Sequence, residues 1–119
     1  MSPLRRAAGI LALACSLAGA ANGEELYGRP LRGLTAVAPG EVAKNPAKYS
    51  GRSVRVEGTL RRGKDGGLWV AQGEGVLGLR TDGFTLPAAV DGAPAAAEGR
   101  VSPEGDGAIL VASGVEVRR

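Results

Sequence analysis

The sequence predicts a small, mainly β protein. The chain has 119 residues, a length that suits a single domain. Its hydrophobic residues make up 44% and its charged residues 23%, which is the balance of an ordinary globular protein. From Ser53 onward, apolar and polar residues alternate in short runs that are separated by turns rich in Gly, Pro and Asp. This pattern favours several short strands over a helical domain.

The first 21 residues have the pattern of an export signal. Arg5 and Arg6 provide a positively charged start. Residues 7–19 are uncharged, and this stretch is shorter than the roughly 20 residues that span a bilayer. The sequence Ala-Gly-Ala at 18–20 has the small-x-small form of a signal-peptidase site. We therefore predict a signal peptide over residues 1–21 and an exported, periplasmic mature protein, with a retained signal anchor as the alternative.

The only cysteine, Cys15, raises a second processing route. It ends the sequence Ala-Leu-Ala-Cys at residues 12–15, which resembles the lipobox of bacterial lipoproteins, where the cysteine is acylated. The match is incomplete, because Leu13 stands second before the cysteine rather than third. Lipidation at Cys15 would make the protein a membrane-anchored lipoprotein, and membrane contact is predicted only in that case.

Removal of the leader changes the charge balance. The whole chain has 15 Lys and Arg against 12 Asp and Glu, a net charge of +3. Without Arg5 and Arg6 the balance becomes 13 against 12, or +1. A chain so close to neutral has no general basic surface for phosphate backbones. We therefore predict no nucleic-acid partner.

The composition excludes several kinds of active site. The chain has no His, so neither a Ser-His-Asp triad nor an imidazole metal site can form. One Cys cannot build a disulfide framework or a thiolate zinc site. Glu57 and Glu98 occupy equivalent places in two similar segments, which leaves a carboxylate-pair hydrolase as a third hypothesis. The prediction is a protein without enzyme activity, catalytic residues, cofactor or bound metal.

Two parts follow the leader. Residues 22–38 show no period, because Gly28, Pro30 and Gly33 interrupt them, and we expect them to be loosely ordered. The folded domain is predicted over residues 39–119.

That domain begins with a short interrupted helix. Helical spacing covers residues 39–44, and Asn45 ends it because a residue before proline is disfavoured in the α conformation. Asn45 is then expected to cap a second helical turn that begins at Pro46 and runs through Tyr49. Val42 and Tyr49 are the expected buried side chains.

Five short strands are predicted after this helix, at residues 53–61, 68–72, 76–81, 95–102 and 108–117. Gly58, in the middle of the first strand, indicates a bulge or a sharp bend. Residues 54–71 and 95–112 are similar, with six identities in 18 aligned positions. The similarity reflects either shared hairpin composition or an internal repeat. Both interpretations predict two similar bent hairpins with a single strand between them.

A hairpin, a single strand, a short connector at residues 87–92 and a second hairpin form the strand plan of a five-stranded OB-like Greek-key barrel. A β-sandwich is the alternative fold. The chain has only four aromatic residues, so its core is thin and closure of the barrel should contribute to stability.

Five short motifs follow one another along the chain: Leu-Tyr-Gly-Arg-Pro-Leu at 26–31, Asn-Pro at 45–46, Tyr-Ser-Gly-Arg-Ser-Val-Arg-Val-Glu-Gly at 49–58, Gly-Leu-Trp at 67–69 and Phe-Thr-Leu-Pro at 84–87. This series resembles domain of unknown function family 4920, a family of small exported bacterial proteins, over most of residues 26–102. The resemblance implies an exported protein with an OB-like barrel, and it implies no activity. Members tend to carry Cys, three residues and then Gly-Cys-Trp. Gly63 and Leu68 replace those cysteines here, so no metal or redox role carries over.

Candidate binding residues lie on the first hairpin. Trp69 is either a contact surface for a ligand or a structural residue that fills the barrel core or plugs one end of the barrel, and the scarcity of aromatic residues favours the structural role. Arg55, Arg61 and Arg62 form either a face for an anionic partner or a solvated strand face, and the second is favoured.

The function predicted from these features is a non-catalytic binding or interaction module of the bacterial periplasm or envelope, with an envelope protein of unknown identity as its partner. It would use the face around Trp69 and the arginine-rich first strand. The alternative is a carrier that holds a small ligand or anion in the mouth of the barrel.

Overall fold

The computed structural model of this protein describes residues 24–118, so the predicted signal peptide and Cys15 lie outside the described residues. The strands are β1 (Glu25–Gly28), β2 (Ser53–Arg62), β3 (Leu68–Gln72), β4 (Gly75–Thr81), β5 (Pro94–Glu104) and β6 (Gly107–Val117). The helices are α1 (Pro39–Lys44), α2 (Pro46–Tyr49) and a 3-10 turn at Ala88–Val90. None of these described helices has the length and apolar character that a membrane span requires.

Strands β2 to β6 close into a five-stranded barrel. Their order is β2-β3-β4-β6-β5, and β5 pairs again with β2. All the neighbours in the barrel are antiparallel except β4 and β6, which are parallel. The predicted fold class, a mainly β OB-like Greek-key barrel with a short N-terminal helical segment, is therefore confirmed, and the alternative β-sandwich is not formed.

The first barrel strand bends as its mid-strand glycine predicts. β2 pairs with β5 over residues 53–59 and with β3 over residues 59–62, so it changes partner at Thr59. A Cβ atom at the preceding Gly58 would overlap the carbonyl oxygen of Ala71. The glycine therefore allows β3 to approach β2 closely where the strand serves both halves of the barrel.

The core is the interior of the barrel, and it consists of aliphatic side chains. The side chains that are least exposed there include Val56, Leu60, Val70, Leu77, Val101, Leu110 and Val115. Each lies on the inward face of a strand, where alternate residues point. The 3-10 turn covers one end of the barrel with Val90, and its following Gly92 donates a hydrogen bond to the carbonyl of Leu60 at 2.7 Å.

Helices α1 and α2 lie where the sequence predicts them, and Val42 and Tyr49 are buried as expected. The predicted capping of α2 by the side chain of Asn45 is wrong. Asn45 instead donates from Nδ2 to the carbonyl of Glu41 at 3.1 Å. The side chain therefore adds a second bond to a carbonyl of α1 that already accepts the backbone N–H of Asn45, and it does not cap an amide at the start of α2.

The segment before α1 takes a defined course across the barrel, which the irregular sequence of residues 22–38 does not reveal. Strand β1 pairs antiparallel with the end of β6. Residues 29–38, which we call the strap, then cross the outside of β6, β5 and β2. The backbone N–H of Arg29 donates to the carbonyl of Ser113 at 2.8 Å, and that of Val37 donates to the carbonyl of Arg55 at 2.8 Å.

A bulge in β6 creates the attachment point of the strap. Glu98 pairs with Gly114, but Gly99 pairs with Ala112, so Ser113 is an extra residue without a partner on β5. Its carbonyl can therefore accept the bond from Arg29.

Candidate functional site

A pocket of about 510 Å³ lies between the strap and the outer faces of β5 and β6. This volume falls in the usual range of small-molecule sites. Its lining is rich in groups that bind anions, namely the arginines Arg29, Arg32 and Arg100 and the serines Ser53, Ser102 and Ser113. Guanidinium groups present several N–H donors in a plane that matches carboxylate and phosphate oxygens.

The barrel and the strap each supply part of this lining. Arg100 and Ser102 alternate with inward-facing residues on β5, and Ser53 of β2 lies directly opposite Arg100. Arg29 and Arg32 come from the strap. The pocket therefore exists only when the strap lies on the barrel.

The positive charge of the pocket is a local feature. Residues 24–118 contain 12 Lys and Arg and 12 Asp and Glu, so the net charge of the described part is zero. Within this part of the chain, Arg29, Arg32 and Arg100 form no ion pair with a carboxylate. The pocket also contains Asp82 and Glu98, and Glu98 is already paired. Three guanidinium groups thus face the one carboxylate, Asp82, that has no ion pair within the described residues, and the pocket keeps an excess of positive charge.

Glu98 forms the floor of the pocket and holds the strap in place. Only 3% of the residue is exposed. Its Oε1 accepts the backbone N–H of Arg32 at 2.6 Å, and its Oε2 accepts that of Leu34 at 2.8 Å. Gly33 lies between these donors with a φ of +77°, in the left-handed region that glycine adopts without strain. Successive N–H groups in such a turn form a concave nest for an anion, and here the anion is Glu98 itself.

Glu98 remains ionised in spite of its burial. Burial raises the pKa of this carboxyl, but the hydrogen bonds from the backbone of Arg32, Leu34 and Gly33 and from the side chain of Arg55 outweigh that effect. Its pKa is therefore lower than that of an ordinary glutamate.

Arg55 is committed to two carboxylates. Its Nε lies 2.8 Å from Oε2 of Glu57, and its Nη1 lies 3.5 Å from Oε2 of Glu98. The bond to Glu57 is the main reason that the pKa of Arg55 is raised, and desolvation opposes it. The bond from Arg55 is one of the contacts that hold the pKa of Glu98 below its usual range.

The four binding residues suggested by the sequence do not converge on one surface. Trp69 and Arg61 are directly opposite each other on the outer faces of β3 and β2. Arg55 is on the same face but six residues away from Arg61, or about 20 Å along an extended strand. Arg62 belongs to the opposite side of β2 and donates from Nη2 to the carbonyl of Leu86 at 3.0 Å.

The favoured interpretation of Trp69 as a core residue is wrong. Its neighbour Val70 is buried in the barrel, and Trp69 is half-buried on the outside. The ring covers Gly63, where a Cβ atom would lie 2.9 Å from Cζ3 of the indole. Alternation along β3 therefore selects Val70 for the core, although tryptophan is the larger hydrophobic residue.

Sequence reasoning missed Arg29, Arg32 and Arg100 as site residues. The first two lie in a segment without a recognisable period, and their positions depend on contacts with residues more than 60 places later. One signal was present in the sequence. Glu98 is an acidic residue at the end of three alanines in a strand, and a buried carboxylate in that position requires partners.

Neither a group of metal-binding side chains in the described residues nor a similar known protein identifies a ligand for this pocket. Within residues 24–118, no three His, Cys, Asp or Glu side chains are grouped so that they could hold a metal ion. No model of a known protein family matches the chain, and neither does any curated protein sequence. The resemblance to domain of unknown function family 4920 therefore stays a prediction.

Proposed function

We propose that this protein is a non-catalytic binding module whose site is the strap pocket and whose ligand carries a compact anionic group. The observation that carries the proposal is the set of three arginines, Arg29, Arg32 and Arg100, that face one pocket without carboxylate partners in the described part of the chain. An anion carrier was the alternative function predicted from the sequence, with the ligand in the mouth of the barrel. The site proposed here lies on the side of the barrel instead.

The chemistry of the lining supports an oxyanion. Arginine binds carboxylate and phosphate oxygens through paired N–H donors, and serine hydroxyls add single donors around them. Glu98 does not cancel this attraction, because its charge is already matched by Arg55 and by the backbone of the strap.

Titration calorimetry at low ionic strength tests the proposal, with acetate and inorganic phosphate as probes. We expect one of these anions to bind and the affinity to fall as salt is added. Arg32→Ala and Arg100→Ala should each weaken binding roughly tenfold, the effect of losing a charge-assisted hydrogen bond. Arg61→Ala is the matched control, because it removes an exposed arginine outside the pocket. Absence of binding, or an equal loss in Arg61→Ala, would overturn the proposal.

A second binding surface is supported by the position of Trp69. The half-exposed indole lies between Arg61 of β2 and Gly78 of β4, so it forms a flat outer patch beside a cation. Aromatic side chains beside arginine are common centres of protein interfaces. We propose an envelope protein as the partner of this patch. Affinity capture from crosslinked native envelope should recover a stoichiometric partner with wild type and lose it with Trp69→Ala.

Export and processing belong to the same proposal. Support comes from the leader pattern of residues 1–21, which predicts a periplasmic protein, with a lipoprotein anchored at Cys15 as the alternative. The mass of the protein purified from cells distinguishes the two routes. Cleavage after Ala20 or Ala21 predicts an unmodified mature chain, whereas lipidation predicts an acylated N-terminal cysteine that Cys15→Ala abolishes.

A further inference from the structure

A second pocket, of about 450 Å³, adjoins the strap pocket. The two share Leu34 of the strap and Ser53 of β2 as lining residues, so they are neighbouring parts of one groove. The groove begins at the bulge of β6 and continues along the strap toward α2.

The two parts of the groove differ in chemistry. The second pocket is lined by apolar side chains from the strap, α2 and β2, namely Leu34, Val37, Tyr49 and Val54. Arg52 and Thr35 complete its lining. Arg29, Arg32 and Arg100 line only the first pocket. Positive charge is thus concentrated in the first pocket, which has three arginines, whereas the second pocket has one, Arg52, beside four apolar side chains.

We propose that the groove binds an amphiphilic carboxylate, with the carboxylate in the strap pocket and an aliphatic chain in the apolar pocket beside Leu34. The inference rests on the proposed function, because the first pocket must bind an anion for the second to matter. To the anionic group of the proposed function, the inference adds an aliphatic chain as the rest of the ligand. A ligand with charge at both ends would place its second charge among these apolar side chains, where Arg52 alone could receive it, and would lose hydration there.

Leu34 has a central role in this arrangement. Its backbone N–H is bonded to Glu98, which fixes the strap, and its side chain contributes to both pockets. A ligand that extends from one pocket to the other must therefore pass this side chain. Burial of aliphatic groups beside Leu34 would add affinity in proportion to the apolar area removed from water.

A homologous series of linear carboxylates tests the inference on the wild-type protein. The probes are acetate, butyrate, hexanoate and octanoate, measured by titration calorimetry below their micelle concentrations. We expect affinity to rise with chain length by up to about fourfold per methylene group, which is the effect of complete burial. Hexanol has the apolar chain without the charge, and we expect it to bind much more weakly than hexanoate.

The outcomes separate the two proposals. If neither a carboxylate nor inorganic phosphate binds, the proposed function fails. If phosphate binds and no carboxylate does, the proposed function stands and the amphiphilic carboxylate is excluded. If acetate binds and the longer carboxylates bind equally tightly, the proposed function stands and the amphiphilic ligand is excluded. Binding of hexanol as tight as that of hexanoate would also exclude it, since the two pockets would then not act on one ligand.

A substitution at Leu34 tests where the aliphatic chain lies. Leu34→Ala keeps the backbone bond to Glu98 but removes apolar surface, so it should flatten the dependence of affinity on chain length. Leu26→Ala is the matched control, because Leu26 is 49% exposed on β1 and lies outside both pockets. An unchanged chain-length dependence in Leu34→Ala would contradict the placement of the aliphatic chain.

Discussion

Leu34 donates its backbone N–H to Oε2 of Glu98 at 2.8 Å, across 64 residues of sequence. This bond joins the irregular N-terminal strap to the most buried acidic side chain among residues 24–118. It turns an outward-facing residue of β5 into a buried one, because the strap covers it. The candidate anion pocket then forms above the same carboxylate.

Removal of the Glu98 carboxylate should destabilise the fold. Glu98→Ala leaves the N–H groups of Arg32 and Leu34 without their acceptor, and we expect a loss of about 3 kcal/mol in the free energy of unfolding. Urea denaturation of wild type and variant measures this loss in the free energy of unfolding. Glu104→Ala is the control, because Glu104 is exposed in its pair with Arg80, and its removal should change stability by less than about 1 kcal/mol. Equal stability of the two variants would contradict the role of Glu98.

The stabilisation by Glu98 should depend on pH. Its pKa is lowered in the folded protein, so folding favours the charged form and the contribution is complete above the pKa of an unfolded glutamate, about 4.3. The contribution is lost as pH falls through the lower folded-state value. The difference in unfolding free energy between wild type and Glu98→Gln should therefore be largest near neutral pH and shrink in acid. A difference that grows on acidification would show the opposite sign of the pKa shift.

Gly114 is expected to be essential for docking of the strap. A Cβ atom there would overlap the backbone carbonyl oxygen of Arg29 and approach the side chain of Leu31. Gly114→Ala should cost about 1–3 kcal/mol and increase hydrogen exchange at the N–H groups of Arg29 and Leu34. Gly107→Ala is a mild control, since a Cβ atom there would lie 3.9 Å from the carbonyl oxygen of Glu104, an ordinary van der Waals distance. Unchanged exchange in Gly114→Ala would mean that the strap tolerates the methyl group.

The barrel core should be sensitive to the loss of volume. Leu60 is fully buried where β2 pairs with Val70 of β3, so Leu60→Ala should lower the unfolding free energy by about 2–5 kcal/mol. The exposed Leu26 offers a comparison with the same substitution, and Leu26→Ala should cost less than about 1 kcal/mol. Thermal and urea unfolding of both variants measure the difference. Similar losses would indicate that the barrel interior is not the main source of stability.

Local pattern was sufficient to predict the barrel. Alternation of apolar residues predicted the five barrel strands, and Gly58 marked the bend of the first one. Gly58 and Gly99 both lie where a Cβ atom would overlap a carbonyl oxygen of the partner strand, Ala71 or Val111. The similarity between the two segments therefore has a common structural cause.

Long-range contacts explain what the sequence did not reveal. The strap has no period of its own, and its position is determined by Ser113 and Glu98, which lie far along the chain. Trp69 illustrates a different limit. Its size favoured the core, but its place in the alternation of β3 put it outside the barrel. A one-residue step along a strand decides which face a side chain occupies.

The most direct test of the anion pocket is a map of amide chemical shifts during titration of the wild-type protein with acetate and, separately, with inorganic phosphate. We expect the largest shifts at the strap and at the facing strands, namely at Arg32, Gly33, Leu34, Arg100 and Ser113. Amides of β3 should remain unchanged. Shifts that are largest around Trp69 and Arg61, or no shifts at all, would contradict the account.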